Sequence, residues 1–461
     1  MLPIKIYNKT IHLIVCYKYT TAFFITILLI SILIFCTFAV MKAIKNKIEI
    51  ASPVGSRESL MAAIQGGANA VYFGIGNLNM RSRSTINFTL NDLSEISTIC
   101  QKHHVKTFLT INTIVYDKEI EEVNSLLDAV KKHAITAIIA SDWAVISAAA
   151  VRGIKVHIST QCNITNIEAV RFYAQYADVM VTARELNLKQ VAEIIQQIKK
   201  ENICGPSGEL VKIEIFAHGA LCMAISGKCY LSLDNFGYSA NRGACLQACR
   251  RLYNVKDADN ELELLINEKY ILSPKDLCTI GFLDKILDAG VSILKIEGRG
   301  RSPEYVKTVT RCYREAVDAY FDGTYGEEKV KRWTEELRSV YNRDFWDGYY
   351  LGRKLGEWTN RYGSQATKTK IYVGRVTNYF NKLKVAEIYI ESGSIQLDNE
   401  ILIIGPTTGV YEDKVREIRV NLASTSVAEK GMSCSIPTNE IVRRNDKVYI
   451  LIPSCDSDEF N

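Results

Sequence analysis

A chain of 461 residues, 48% hydrophobic and 23% charged, is long enough for two or three domains with well-filled cores. That composition excludes disorder, collagen and coiled coil as the main state. The formal net charge is +5, and the six lysines before Ile48, with no acidic residue among them, more than account for it. Charge alone therefore gives no global nucleic-acid footprint.

The basic tail, residues 1–46, surrounds an apolar run at 22–40 that is free of charge. At about 1.5 Å per residue it is long enough to cross a ~30 Å hydrocarbon core. Three readings fit it: a membrane anchor, a secretory leader, or translated sequence upstream of a start at Met41. The leader reading suffers from the run's length and a poor cleavage motif. Lysines on both sides leave a span unoriented. The expected location is cytoplasmic, or membrane-anchored and facing the cytoplasm if the run is a true span.

From Ile48 onward, β-branched runs alternate with amphipathic helical stretches. Strand-like runs lie at 48–54, 70–75, 106–114, 137–141, 155–161, 178–186, 212–219, 270–273 and 292–299. The alternation predicts an α/β fold with a parallel sheet, and the repeat count favours a (β/α)8-barrel-like domain over 47–325. A doubly wound sheet is the second choice. Nine runs are one too many for eight strands, so one is misassigned or lies outside the ring. The connection 219–270 breaks the rhythm and carries four cysteines; following a strand, it belongs on the C-terminal face, where barrel enzymes place their chemistry.

Beyond the barrel, 303–323 reads as a long helix with proline near its start. Residues 326–367 read as a linker rich in aromatics, among them Phe345, Trp346, Tyr349 and Tyr350. These would pack the linker or stack on bases. Alternation returns over 368–455, which predicts a small all-β barrel.

Cys222, Cys229, Cys245 and Cys249 cluster in the long loop, and Cys278 follows it. Thiolates are soft ligands for zinc or iron–sulfur centres, and the wide gaps do not match the tight pairs of zinc ribbons. Buried free cysteine is the plainer alternative. Alternation places Glu214, Phe216 and His218 on one face of their strand, making Glu214 and His218 candidate acid/base groups. Gln161, Arg184 and Glu185 end two other strands, where barrels keep catalytic residues. Glu297 ends the last strand. Arg299 and Arg301, beside glycines and ahead of a helix, suit an anion, as do Arg81 and Arg83 after the second strand. Arg242, Arg250 and Arg251 flank the cysteines and would meet a phosphate backbone.

The stretch Glu214 to Ser232 matches E-x-F-x-x-G-[SA]-[LIVM]-C-x4-G-x-C-x-[LIVM]-S at every fixed position. It resembles the signature of the collagenase-like peptidase family U32. The runs around His157–Gln161, Arg184–Leu186, Ser273–Cys278 and Lys295–Arg299 resemble the family too, over roughly residues 47–455. In layout the chain resembles the family's tRNA hydroxylation proteins. That resemblance implies 5-hydroxylation of a wobble uridine, tRNA as partner, prephenate as co-substrate and a paralogous subunit as a further partner. Relatives in ubiquinone hydroxylation imply a 4Fe–4S cluster on four cysteines. Carried over, the ligands are Cys222, Cys229, Cys245 and Cys278, with Cys249 as the substitute.

The family label also implies a protease, yet the sequence has no H-E-x-x-H and no G-x-S-x-G. A Cys222–His218 pair would need a third group to orient it. A non-catalytic, substrate-presenting subunit is the remaining class. The C-terminal β-domain resembles the second domain of translation factors, a fold that hosts many functions.

Overall fold

A computed structural model describes residues 48–83, 88–253, 272–352 and 356–454. The apolar run at 22–40 lies outside these residues. Among the described residues no helix is long and apolar enough to cross a membrane.

Eight strands form a closed parallel barrel. In chain order they are β1 (Glu49–Pro53), β2 (Ala70–Gly74), β3 (Lys106–Ile111), β4 (Ala137–Ala140), β5 (Val156–Ile158), β6 (Val179–Val181), β7 (Lys212–Gly219) and, after the short β8 (Asp276–Cys278), β9 (Ile293–Ile296). Each barrel strand pairs in parallel with the next, and β9 pairs with both β7 and β1 to close the ring. The (β/α)8 reading thus holds, and the doubly wound alternative does not. The surplus run is 270–273. Leu272 and Ser273 are not in a strand, and 270–271 lie outside the described residues. β8 runs antiparallel to β7, outside the ring, and pairs with the two-residue β10 (Phe345–Trp346).

The covering helices form for local reasons. Ser56, Asp142, Asn166 and Asn187 each accept a backbone N–H at a helix start, satisfying donors that the helix cannot. The helix Leu188–Lys200 buries Val191, Ile194, Ile195 and Ile198, the i, i+3, i+4, i+7 stripe of a helix laid on a sheet. Inside the barrel, Ala51, Ala70, Tyr72, Phe108, Ala137, Ile139, Val179 and Ile293 make a separate small core. Their side chains fill the lumen in layers, so it is a packed core with no pore.

Residues 326–367 are more than a linker. They hold the helix Glu327–Ser339 and β10, and Trp346 and Tyr350 are buried in the main core. The Tyr350 hydroxyl donates to Phe216 O at 2.8 Å, so these aromatics pack the barrel flank. From β11 (Lys368–Phe380) onward the chain is antiparallel all-β, an eight-stranded sheet with a two-stranded ribbon around one apolar core. The all-β reading of 368–455 thus holds, with β11 at the centre of the antiparallel ladder.

Candidate active site

The C-terminal ends of the barrel strands converge on a cavity of about 210 Å³. Every barrel strand end from β2 onward contributes to it or to its floor, as barrel geometry demands. β2 is followed by Arg81, β5 by Gln161, β6 by Arg184, β7 by Cys222 and β9 by Glu297, Arg299 and Arg301, and all of these line the cavity. The cysteine segment folds over the top, bringing Cys245, Cys249 and Arg250 to the same space.

Two glycines allow that fold-over. Gly219 ends β7 with φ +103°, and a Cβ there would sit 2.4 Å from Glu297 O. Gly243 has φ +76°, and its Cβ would sit 2.2 Å from Asn79 O. A side chain at either position is excluded both by the left-handed backbone and by the contact.

The floor is a buried charged group. Lys295 Nζ lies 2.7 Å from Glu214 Oε1, and His157 Nδ1 lies 3.7 Å from Glu214 Oε2. All three residues are at most 6% exposed. Burial pushes the Glu214 carboxyl up, but Lys295 and His157 outweigh it and hold the group at about 2. Lys295 also sits 4.8 Å from the centre of the Tyr72 ring. Sequence reasoning missed Lys295 and His157 as site residues. Stepping back two positions from Glu297 places Lys295 on the inward face, so a signal was there.

The wall is strongly cationic. Arg81, Arg184, Arg250, Arg299, Arg301 and Arg343 line the cavity with Lys295, and Glu297 is the one carboxylate among the described lining residues. Arg81 Nη2 pairs with Glu297 at 2.8 Å. Burial raises the Glu297 carboxyl, yet Arg81, Arg184 and Arg299 bring it down to about 2. Arg299 is 5% exposed and among the described residues donates to neutral acceptors, Thr110 Oγ1 at 3.0 Å and Asn79 Oδ1 at 2.9 Å. Burial, reinforced by Arg81, lowers its guanidinium to about 10. Arg184 lies 4.0 Å over the Phe216 ring, and its buried Nε has no hydrogen-bond partner among the described residues. Excess buried positive charge of this kind is satisfied by an anion.

Five expected site residues lie outside the cavity. His218 does not share a face with Glu214 and Phe216. The β7–β9 register slips between Phe216 and His218, and this bulge turns His218 outward, opposite Ile296. His218 is buried against Tyr305, Tyr313 and Phe345. Burial and nearby Arg301 push its imidazole down to about 3. Cys278 pairs with His218 across β7–β8 and so lies on the same outer side, bonded to Tyr313, with its thiol raised to about 11 by burial. Arg242 is bound to Glu119, with Nη1 2.7 Å from Oε2, and stacks on Tyr116; it staples the cysteine loop to the β3 connection. Glu185 is exposed and lines an adjacent crevice with Met223 and Ile225, outside the main cavity. Arg83 lines a further cleft that adjoins the cavity.

The expected cluster ligands lie partly together. Cys222, Cys245 and Cys249 line one cavity. The Cys249 thiol is raised by burial and by the nearby Cys222, Cys245 and Cys229, so a fourth sulfur is close. Among the described residues no three ligating groups are drawn together closely enough to hold a metal ion as they stand.

The sequence model of peptidase family U32 matches residues 55–360. The chain is 59% identical over 404 residues to a collagenase of Porphyromonas gingivalis, covering 88% of this chain and 98% of that one. It is 31% identical over 373 residues to a tRNA hydroxylation protein of Bacillus subtilis, covering 79% and 85%. It is 36% identical over 278 residues to a 23S rRNA 5-hydroxycytidine synthase of Escherichia coli, covering 60% and 40%. The protein belongs to peptidase family U32.

Proposed function

We propose that this protein is an RNA-modifying enzyme that hydroxylates a tRNA wobble uridine at carbon 5. The observation that carries the reading is the charge of the cavity: beyond the ion pairs Arg81–Glu297, Lys295–Glu214 and Arg343–Asp276, its wall holds Arg184, Arg250, Arg299 and Arg301. A cavity so lined suits phosphate and carboxylate groups. Prephenate, the dicarboxylic co-substrate that the resemblance implies, suits it as well. The names of the relatives that act on tRNA and rRNA support the same substrate class.

In this reading Cys222, Cys229, Cys245 and Cys249 hold a 4Fe–4S cluster, with Cys249 taking the place first given to Cys278. The cluster supplies one-electron transfer when bound. The chain's own residues do the rest. Arg299 and Arg184 hold an anionic group of the substrate. The Glu214–Lys295 pair fixes a polar floor, and the overlying cysteine segment excludes water.

The collagenase relatives favour a second reading, a peptidase of the family's label. It lacks a base beside Cys222. No histidine lines the cavity among the described residues, and His218 lies on the far side of β7.

Nucleoside mass spectrometry of tRNA from a deletion strain tests the proposal. Loss of 5-hydroxyuridine derivatives is expected, and unchanged levels would remove the function. Complementation separates the ligands. Cys249→Ala should fail to restore the nucleoside and should purify anaerobically without iron or brown colour, whereas Cys278→Ala should keep both. Gelatin cleavage by the wild type, abolished in Cys222→Ala, would establish the peptidase instead.

A further inference from the structure

We propose that single-stranded RNA reaches the cavity along a second, arginine-lined cleft that opens directly from it. The inference rests on the RNA-modifying reading above. The cleft measures about 510 Å³ and shares Arg250, Arg301 and Arg343 with the cavity wall. The two spaces are therefore continuous. Its outer part is formed by Arg83, Arg251 and Arg361, and none of its described lining residues is acidic.

The arginines are held in an unusual way. Arg83 stacks on Tyr238 at 4.3 Å, Arg251 on Phe236 at 4.9 Å and Arg301 on Tyr341 at 3.5 Å. Arg242, in the same loop, is instead neutralised by Glu119. An aromatic face orients a guanidinium and leaves its charge and its edge donors available. Phosphate oxygens are the acceptors that such edges fit best.

Tyr341 and Tyr362 also line the cleft, and Tyr362 is 73% exposed. Charge along a groove with interleaved aromatic faces is the pattern of single-strand binders, where phosphates follow the cations and bases stack on rings. An acidic peptide would satisfy the charge and leave the exposed Tyr362 ring unused. A base must leave any duplex to enter the cavity, so the bound strand is single or opened.

Fluorescence anisotropy with the full-length protein and a labelled RNA oligonucleotide of about a dozen nucleotides tests this. For Arg83→Ala/Arg251→Ala/Arg361→Ala, affinity should fall, and the slope of log K against log salt should shrink by about 2, from three lost contacts at roughly 0.7 each. Arg251→Gln alone, an exposed change that spares the fold if the triple variant unfolds, should shrink it by about 0.7. Unchanged affinity and slope in a folded variant would overturn the cleft. So would a polyglutamate peptide that binds more tightly than RNA. Salt-dependent binding lost in the variants, together with unchanged tRNA nucleosides in the deletion strain, would keep the cleft and reject only the hydroxylation. Altered nucleosides with normal binding by the variants would do the reverse.

Discussion

The buried pair of Lys295 and Glu214 shows how much a single side chain carries here. Both are nearly inaccessible, and their 2.7 Å contact lies under the cavity. Lys295→Met would leave the Glu214 carboxylate without its counterion. Breaking a buried pair in this way costs about 3–5 kcal/mol. Urea unfolding should register that loss for Lys295→Met and a much smaller one for Lys295→Met/Glu214→Gln, which removes both charges. A single variant that unfolds at the wild-type midpoint would mean the pair is solvated. At this scale the sequence was partly legible. Glu214 stood in a signature, and Glu297, Arg299 and Arg81 were found by their places after strands. His218 misled, because one bulged residue reverses a face and leaves little trace in composition. Arg242 misled because a count of charges does not reveal which one a distant Glu119 has claimed. Arg343 comes from a segment far beyond the barrel and had no local signal at all.

The cysteine segment is the element on which the site depends, and specific contacts seat it on the barrel. Gly243 lies against Asn79, Arg242 against Glu119, Ile114 N donates to Asn241 O at 3.1 Å, and Arg250 donates to Pro274 O at 2.8 Å. Gly243→Ala would push a methyl group into Asn79 O and strain a left-handed backbone. The expected result is faster limited proteolysis within 220–253, with the thermal midpoint of the barrel little changed. Equal cleavage rates would show that the loop does not depend on this contact. The barrel strands themselves were readable, since apolar runs of four to eight residues between helical stretches have few other solutions. β8 and β10 were not, because neither Asp276–Cys278 nor Phe345–Trp346 contains a β-branched residue to mark it as a strand.

For the whole molecule, the buried charges set a pH dependence. Glu214 and Glu297 titrate at about 2 in the fold, below the ordinary carboxylate value near 4.3. The unfolded chain therefore takes up their protons first. Their stabilisation is present above about pH 4.3 and is lost as pH falls toward 2. His218 is held neutral down to about 3, against an ordinary imidazole near 6.5. Its contribution is present above about pH 6.5 and is lost between there and pH 3. Thermal midpoints should fall steadily on acidification below about pH 6.5 and steepen below about 4.3. A flat profile down to pH 4 would contradict the burial of His218.

The C-terminal sheet is joined to the barrel by more than the chain. Gln65, at the end of the first covering helix, donates to Thr408 O and accepts from Val410 N, both at 2.9 Å. Lys307 of the helix Pro303–Phe321 donates to Val410 O at 2.8 Å, and Glu304 pairs with Lys370 at 2.7 Å. Composition marks a boundary near residue 368, but these bonds reach across it into the first and last helices of the barrel. A recombination crossover at that boundary would strip Gln65, Glu304 and Lys307 of their partners at once. The segment that relatives can trade intact therefore includes those two helix surfaces along with the sheet, and inheritance must treat the two halves as one chassis.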